Sequence, residues 1–193
     1  ELSKTIQERI VLPLEKGVHK VVVEDYQRSF FGGKISVAIA DRKKLVSGEA
    51  KKLAENVDAV VVAAGFNSDN ETEGADRTFN LPFGQDELIR EMAAKNPRTI
   101  VAVTSGGSVD TQAWIDQVPG LIEMWYPGEE GGTALAEILF GACNPSGHLP
   151  ISFERKREDN PSYSNYYPVA GSAKVKYEEG IFVGYRGYEH NHV

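Results

Sequence analysis

The chain has 193 residues, 41 % of them apolar and 25 % charged, the balance of an ordinary globular domain that can bury a real core. Its formal net charge of -7 speaks against nucleic acid as a partner, because phosphates select a basic face, whereas a neutral sugar is not repelled. No apolar run is long enough to cross a bilayer as a helix, so no membrane partner is expected.

The opening stretch, ELSKTIQERIVLPLEKG, contains neither an initiator methionine nor a targeting pattern, and both ends read as cut from a larger polypeptide. From about Ile10 to Ala40 the rhythm is β-like. HKVVVEDYQ and GKISVAIA flank the turn residues RSFFGG, and Ile35, Val37 and Ile39 alternate with smaller or polar neighbours. This predicts an antiparallel hairpin, which on its own is marginal in water and so implies further strands.

From about Lys43 helical and apolar segments alternate. KKLVSGEAKKLAENV is predicted helical, DAVVVAAG a buried strand, and LPFGQDELIREMAAKN a helix with Leu88, Ile89, Met92 and Ala93 on its apolar face. RTIVAVTSGG is a second strand, DTQAWIDQV a short helix and GLIEMWYPG a third strand. EEGGTALAEILFGA is a helix with Glu129 and Glu130 at its positive end, and GHLPISF a fourth, shorter strand. Such alternation predicts an α/β fold, a three-layer α/β sandwich with a mostly parallel sheet. The segment from Glu154 to Tyr167 is polar and reads as an extended loop, and VKYEEGIFVGYRGYEHNHV returns to a β-leaning pattern.

Other residues have plain readings. Cys143 has no partner for an internal disulfide and reads as a small buried residue near a helix end. TSGGSVD lacks the P-loop lysine and the dinucleotide spacing, and reads as a strand-to-helix turn capped by Ser108 or Asp110. His190 and His192 belong to a frayed end rather than a metal pair, and Trp114 and Trp125 are core or interface residues, with Trp125 also a candidate sugar platform.

Functional groups in open α/β sheets gather where parallel strands end. Directly after the first strand, Asp69, Glu71, Glu73 and Asp76 crowd around Gly74, backed by Arg77. Three readings compete for such a cluster. Oxygen ligands for a cation are one, though the spacing does not match the helix-flanked calcium loop. A solvated acidic surface loop is another. The third is general acid–base work, which needs a carboxyl group whose pKa is raised toward about 6 to 7 by neighbouring charge or burial. Gly74 would let the chain turn close to a bulky substrate, and Arg77 would pair with Asp76 and leave Glu73 unpaired.

The stretch AAGFNSDNETEGADRTFNLPFGQDELI resembles the carboxy-terminal α/β domain of family 3 glycoside hydrolases, the β-glucosidases and their relatives. The matching elements are Glu73-Gly74-Ala75-Asp76-Arg77 and the Leu81-Pro82 to Leu88-Ile89 run, followed in order by WYPGEEGGTALAEILFGACNPSGHLPISF and YEEGIFVGYRGYE. The resemblance implies a retaining exo-glycosidase that hydrolyses terminal β-linked sugars, with Glu73 as general acid/base and no cofactor or metal. Phe66, Asn67 and Glu71 are the accompanying substrate-binding candidates. It also implies a nucleophilic aspartate on a (β/α)8 barrel, which a chain of 193 residues cannot hold beside this sheet. The expected partners are therefore a β-linked glycoside and a barrel domain on another chain or segment, with homo-oligomers left open and a periplasmic or secreted location favoured.

The first segment resembles the tail of a protective-antigen-like β-sandwich inserted in some family members. The expected division is 1–42 for that insert, 43–153 for the α/β sandwich with the acidic loop, and 154–193 for an extended loop and closing β segment. A non-catalytic carbohydrate-binding or scaffold module is the alternative function. A nucleotide-binding domain is a third, disfavoured by the absent phosphate fingerprints.

Overall fold

The computed structural model describes residues 10–23, 37, 39–73, 77–169 and 171–193. Three strands, β1 (Val60–Gly65), β2 (Thr99–Thr104) and β3 (Gly120–Glu123), form a sheet in the order β1-β2-β3, both pairings parallel. Val60 lies beside Thr99 and Gly65 beside Thr104, while Val103 lies beside Glu123, so the three strands surface at one common edge. The helices are α1 (Gly48–Glu55), α2 (Gln85–Lys95), α3 (Gly131–Leu139) and α4 (Tyr185–Asn191). The parallel sheet and intervening helices match the expected α/β sandwich class.

Local chemistry sets the helix ends. Ser47 Oγ accepts from Ala50 N at 3.1 Å and starts α1. Asn96 closes α2 and donates through Nδ2 to the carbonyl oxygens of Ala54 and Val57, at 3.0 and 2.9 Å, tying the ends of α1 and α2 together. Asp86 and Glu87 lie in the first turn of α2, where the free N–H groups favour negative charge. The apolar stripe read on α2 faces the core: Ile89 and Met92 are buried, and Leu88 packs against them. With Val62, Ala64, Val101, Val103, Val109 and Trp114 they form one cluster. Trp114 is fully buried, and its indole N–H donates to Asp86 Oδ1 at 3.0 Å, which satisfies the one polar group of an otherwise apolar side chain.

Several expectations are corrected. The predicted helix over 110–118 shrinks to a 3-10 turn at Ile115–Gln117. Asp110 spends its carboxylate on Gln112 N and Asn80 Nδ2, both at 3.0 Å, which holds the start of the segment in a turn, and Pro119 follows too soon for a second helical turn. GHLPISF pairs with no strand among the described residues, and Pro150 removes a ladder donor from its middle. Cys143 is exposed rather than buried, because α3 ends at Leu139 and Gly141 turns the chain outward with φ 77°. No closing β strand forms among the described residues: the chain forms 3-10 turns at Arg157–Asp159 and Tyr163–Asn165 and then α4. Tyr185 and Tyr188 have helical rather than alternating spacing, and Gly187 packs so close to Pro161 that a Cβ there would lie 2.2 Å from its Cγ. The predicted hairpin falls largely outside the described residues; 10–23 contains no strand.

Candidate active site

Where β1 surfaces, Gly65 has φ 136°, and a Cβ on it would meet the Thr104 carbonyl oxygen at 2.0 Å. Only glycine fits. The Gln85 side chain brackets this residue, accepting from Gly65 N at 2.7 Å and donating to Gly65 O at 2.9 Å. The first residue of α2 thereby fixes the direction in which the chain leaves the sheet, and Phe66 N follows by donating to Thr104 O at 2.9 Å.

The next residues wind into a compact turn. Asn67 O accepts from Asn70 N and Glu71 N at 3.1 and 2.9 Å. Asn67 Oδ1 accepts from Asp69 N at 2.9 Å, and Asn70 Oδ1 from Asn67 N at 2.8 Å. Such Asx bonds satisfy the backbone locally and shape the turn that leads to Glu71. Asn67 is exposed, and its side-chain NH2 is a donor type suited to a hydroxyl.

Glu71 is tied down. Its Oε1 accepts from Arg77 Nε at 2.9 Å, and its two oxygens lie 3.2 and 3.3 Å from Gly106 N. Arg77 also donates to Thr78 O and Ser108 O, both at 2.9 Å, and its guanidinium sits 4.4 Å from the Phe66 ring centroid. The loop leaving β1 and the loop leaving β2 are thus fastened to one planar cation. The expected partner of Arg77, Asp76, lies outside the described residues with Gly74 and Ala75; among the described residues the acidic partner is Glu71.

These residues border a cleft of about 540 Å³. Phe66, Asn67, Glu71 and Glu73 all line it, so the four candidates named from sequence share one cavity. Glu73 is exposed there, and no ion pair engages it among the described residues. Ser68 and Thr72 of the same loop also line it, and two lining residues from other strand ends were not legible as site residues: Thr104 at the end of β2 and Tyr126 just beyond β3. The signal that would have found them is their place at carboxyl ends of parallel strands. Burial, then the hydrogen bonding and negative charge of Glu71, push the Tyr126 hydroxyl up to about 12, so it stays a protonated donor beside that carboxylate. Trp125, the other aromatic candidate, stands edge-on to Phe153 at 6.2 Å. His190 stacks on Phe182 at 4.1 Å, and among the described residues no three His, Cys, Asp or Glu side chains converge as a metal cage.

One polar group at the end of β3 is unusual. Glu123, the last residue of β3, is half-buried, and its carboxyl is pushed up by burial against the opposing pull of donors from Trp125 and Ser105.

Comparison with known proteins places this geometry. Residues 3–185 match the family model described as "Glycosyl hydrolase family 3 C-terminal domain". The chain is 43 % identical over 149 residues to a "Probable beta-glucosidase I" of Aspergillus flavus, covering 77 % of this chain and 17 % of that protein. It is 41 % identical over 151 residues to "Beta-glucosidase B" of Emericella nidulans, covering 73 % and 18 %. Among solved structures, the β-glucosidase of Kluyveromyces marxianus in complex with glucose superposes with a TM-score of 0.71 at 38 % identity, covering 80 % of this chain and 18 % of that one. The β-glucosidase 3B of Thermotoga neapolitana gives 0.66 at 32 % identity, covering 83 % and 23 %. The chain thus spans about a fifth of the length of these proteins, and it belongs to glycosyl hydrolase family 3 through that family's C-terminal domain.

Proposed function

We propose that this chain supplies the general acid/base of a retaining β-glucosidase-like exo-glycosidase, with Glu73 in that role. The observation that carries the reading is the contrast between two neighbouring carboxylates. Glu71 is held by Arg77 and Gly106, whereas Glu73 stands on the cleft wall with no described ion pair. A group that passes a proton to a departing oxygen must reach that oxygen, and a carboxylate already committed to an arginine does so poorly.

In the first step Glu73 gives its proton to the glycosidic oxygen as the bond to the sugar breaks and a nucleophilic carboxylate closes on the anomeric carbon. In the second, Glu73 takes a proton from water as that water displaces the sugar from the nucleophile. The nucleophile belongs to a barrel domain that this chain does not contain, and the two carboxyl groups would stand about 5 to 5.5 Å apart in the assembled enzyme. The Asn67 amide offers a hydrogen bond to a sugar hydroxyl. Phe66 and Glu71 shape the floor, since the guanidinium covers the ring and the carboxylate is already bonded. Residues 43–153 carry these groups, with 1–42 read as the end of an inserted β-sandwich and 154–193 as the closing part of the same α/β unit.

The experiment is Glu73→Gln in the complete enzyme, assayed on a β-linked disaccharide and on an aryl β-glucoside with a strongly activated leaving group. The reading predicts a fall of about a hundredfold or more on the disaccharide and a much smaller fall in the glycosylation of the activated substrate. Near wild-type hydrolysis of the disaccharide would move the role elsewhere, with Glu71 the next candidate. Saturable sugar binding without hydrolysis by the complete protein would instead support a carbohydrate-binding module.

A further inference from the structure

Glu123 ends β3 and is not among the residues that line the cleft, yet both of its loop neighbours lead to Glu71. Its Oε1 accepts from Trp125 N at 2.9 Å, and the Ser105 backbone also donates to its carboxylate. Ser105 Oγ sits 3.3 Å from both carboxylate oxygens and donates to Gly107 O at 2.8 Å. One carboxylate therefore gathers the loop leaving β2 and the loop leaving β3. The next residue of each loop faces Glu71. Gly106, after Ser105, brings its N–H to that carboxylate at 3.2 and 3.3 Å; Tyr126, after Trp125, brings its hydroxyl beside it.

The backbone at Trp125 explains why such a holder is required. Its φ is 51°, in the left-handed region that a bulky side chain avoids. That turn swings Tyr126 from the line of β3 to the cleft wall, and the Trp125 N–H to Glu123 bond closes it. The crowding is tight on the other loop as well. A Cβ on Gly106 would lie 2.7 Å from Glu71 Oε1 and 3.2 Å from Tyr126 Cε2, so the two loops and Glu71 are in mutual contact.

We propose that Glu123 is a positioning residue for the cleft: by holding the backbone of Trp125 and Ser105 it sets Tyr126 and Gly106 against Glu71, and so fixes the segment that carries Glu73. Glu123 meets no substrate in this arrangement. It deepens the glycosidase reading and rests on it for the nature of the ligand, a β-linked disaccharide, but not on Glu73 being the proton donor.

The test uses the full-length enzyme and a non-hydrolysable sulfur-linked disaccharide, whose binding needs no proton transfer. Glu123→Leu keeps the bulk and loses the acceptors; its affinity is expected to fall about tenfold. Glu123→Gln keeps an acceptor for Trp125 N, and its Nε2 can donate to Ser105 Oγ, so it is expected to stay within about threefold of wild type. Asparagine tolerates the left-handed region better than tryptophan, so in a Trp125→Asn background the same Glu123→Leu change is expected to cost several-fold less. This pair also serves if Glu123→Leu alone fails to fold. With Glu73 as the proton donor, Glu123→Leu should also lose more turnover with poor aryl leaving groups than with activated ones, a pattern that general loosening of the fold does not produce, whereas the binding comparison holds whichever group donates. Unchanged disaccharide affinity in Glu123→Leu, or equal losses in the wild-type and Trp125→Asn backgrounds, would overturn the proposal. Failure of Glu73→Gln to impair hydrolysis would sink the catalytic reading alone, since the binding comparison is independent of it.

Discussion

Replacing Arg77 with lysine tests whether the loops around the cleft are fastened by one guanidinium. Arg77 makes three charge-assisted bonds at 2.9 Å, to Glu71 Oε1, Thr78 O and Ser108 O. Its side chain is only 14 % exposed and that of Glu71 only 18 %, so neither is well served by water. A lysine ammonium can keep Glu71, but as a compact point charge it does not span both carbonyls as a planar fork does. Bonds of this kind are worth about 1.5 to 3 kcal/mol each, and water replaces part of the loss at a half-open site. The net loss expected in local stability is about 2 kcal/mol, or roughly thirtyfold in the opening equilibrium. Hydrogen exchange reads this directly. The Glu71 amide, which donates to Asn67 O, and the Gly106 amide, which donates to Glu71, should exchange about thirtyfold faster in Arg77→Lys, while amides of α2 do not change. Exchange within about twofold of wild type at both amides would show that the loops are held by something else.

Two further outcomes follow from the geometry. Gly65→Ala should cost about 3 kcal/mol or more, because the new methyl collides with the Thr104 carbonyl, whereas Gly84→Ala should cost only about 1 kcal/mol of backbone strain, since φ is 87° there but nothing lies within 4 Å; denaturation midpoints separate the two. Glu123 also makes stability depend on pH. Its folded pKa is raised by burial, so the native state holds the proton more tightly than the unfolded one; the contribution is full below the ordinary carboxyl value and is lost as pH rises through the raised value. The melting temperature of Glu123→Gln minus that of wild type should therefore grow as pH rises above the ordinary carboxyl value, and a flat or falling difference would contradict the burial argument.

Much of the α/β core was legible because its signals are local. VVVAAG and TIVAVT are apolar runs that must be buried on a parallel sheet, and Ile89 and Met92 fall on the stripe that α2 turns inward. The failures have local causes too. GHLPISF has strand-like composition, but Pro150 lacks a donor and the sheet stops at β3. GIFVGYRGYE looks β-leaning up to Val183, and the helix begins only after Gly184, whose φ of 56° redirects the chain. At the site, Phe66, Asn67, Glu71 and Glu73 were legible together because one loop carries them past one strand end. Tyr126, Gly106 and Glu123 were not. They come from two other strand ends, and only the register that sets Val103 beside Glu123 brings them under the same carboxylate. Arg77 shows what spacing alone does not convey: the turn at Asn67–Glu71 delivers the more distant Glu71 to its guanidinium, while Asp76, the neighbour its position suggested, lies outside the described residues.

The most direct measurement is azide rescue of Glu73→Ala in the full-length enzyme, run on an activated aryl β-glucoside. Such a substrate forms the glycosyl-enzyme without a proton donor, and the missing base then stalls the attack of water. Azide needs no base. It displaces the enzyme's carboxylate from the anomeric carbon, so turnover should rise with azide concentration and the product should be the β-configured glucosyl azide. A Glu73→Ala enzyme that hydrolyses disaccharides normally, and whose turnover and products ignore azide, would contradict the assignment of the proton to this side chain.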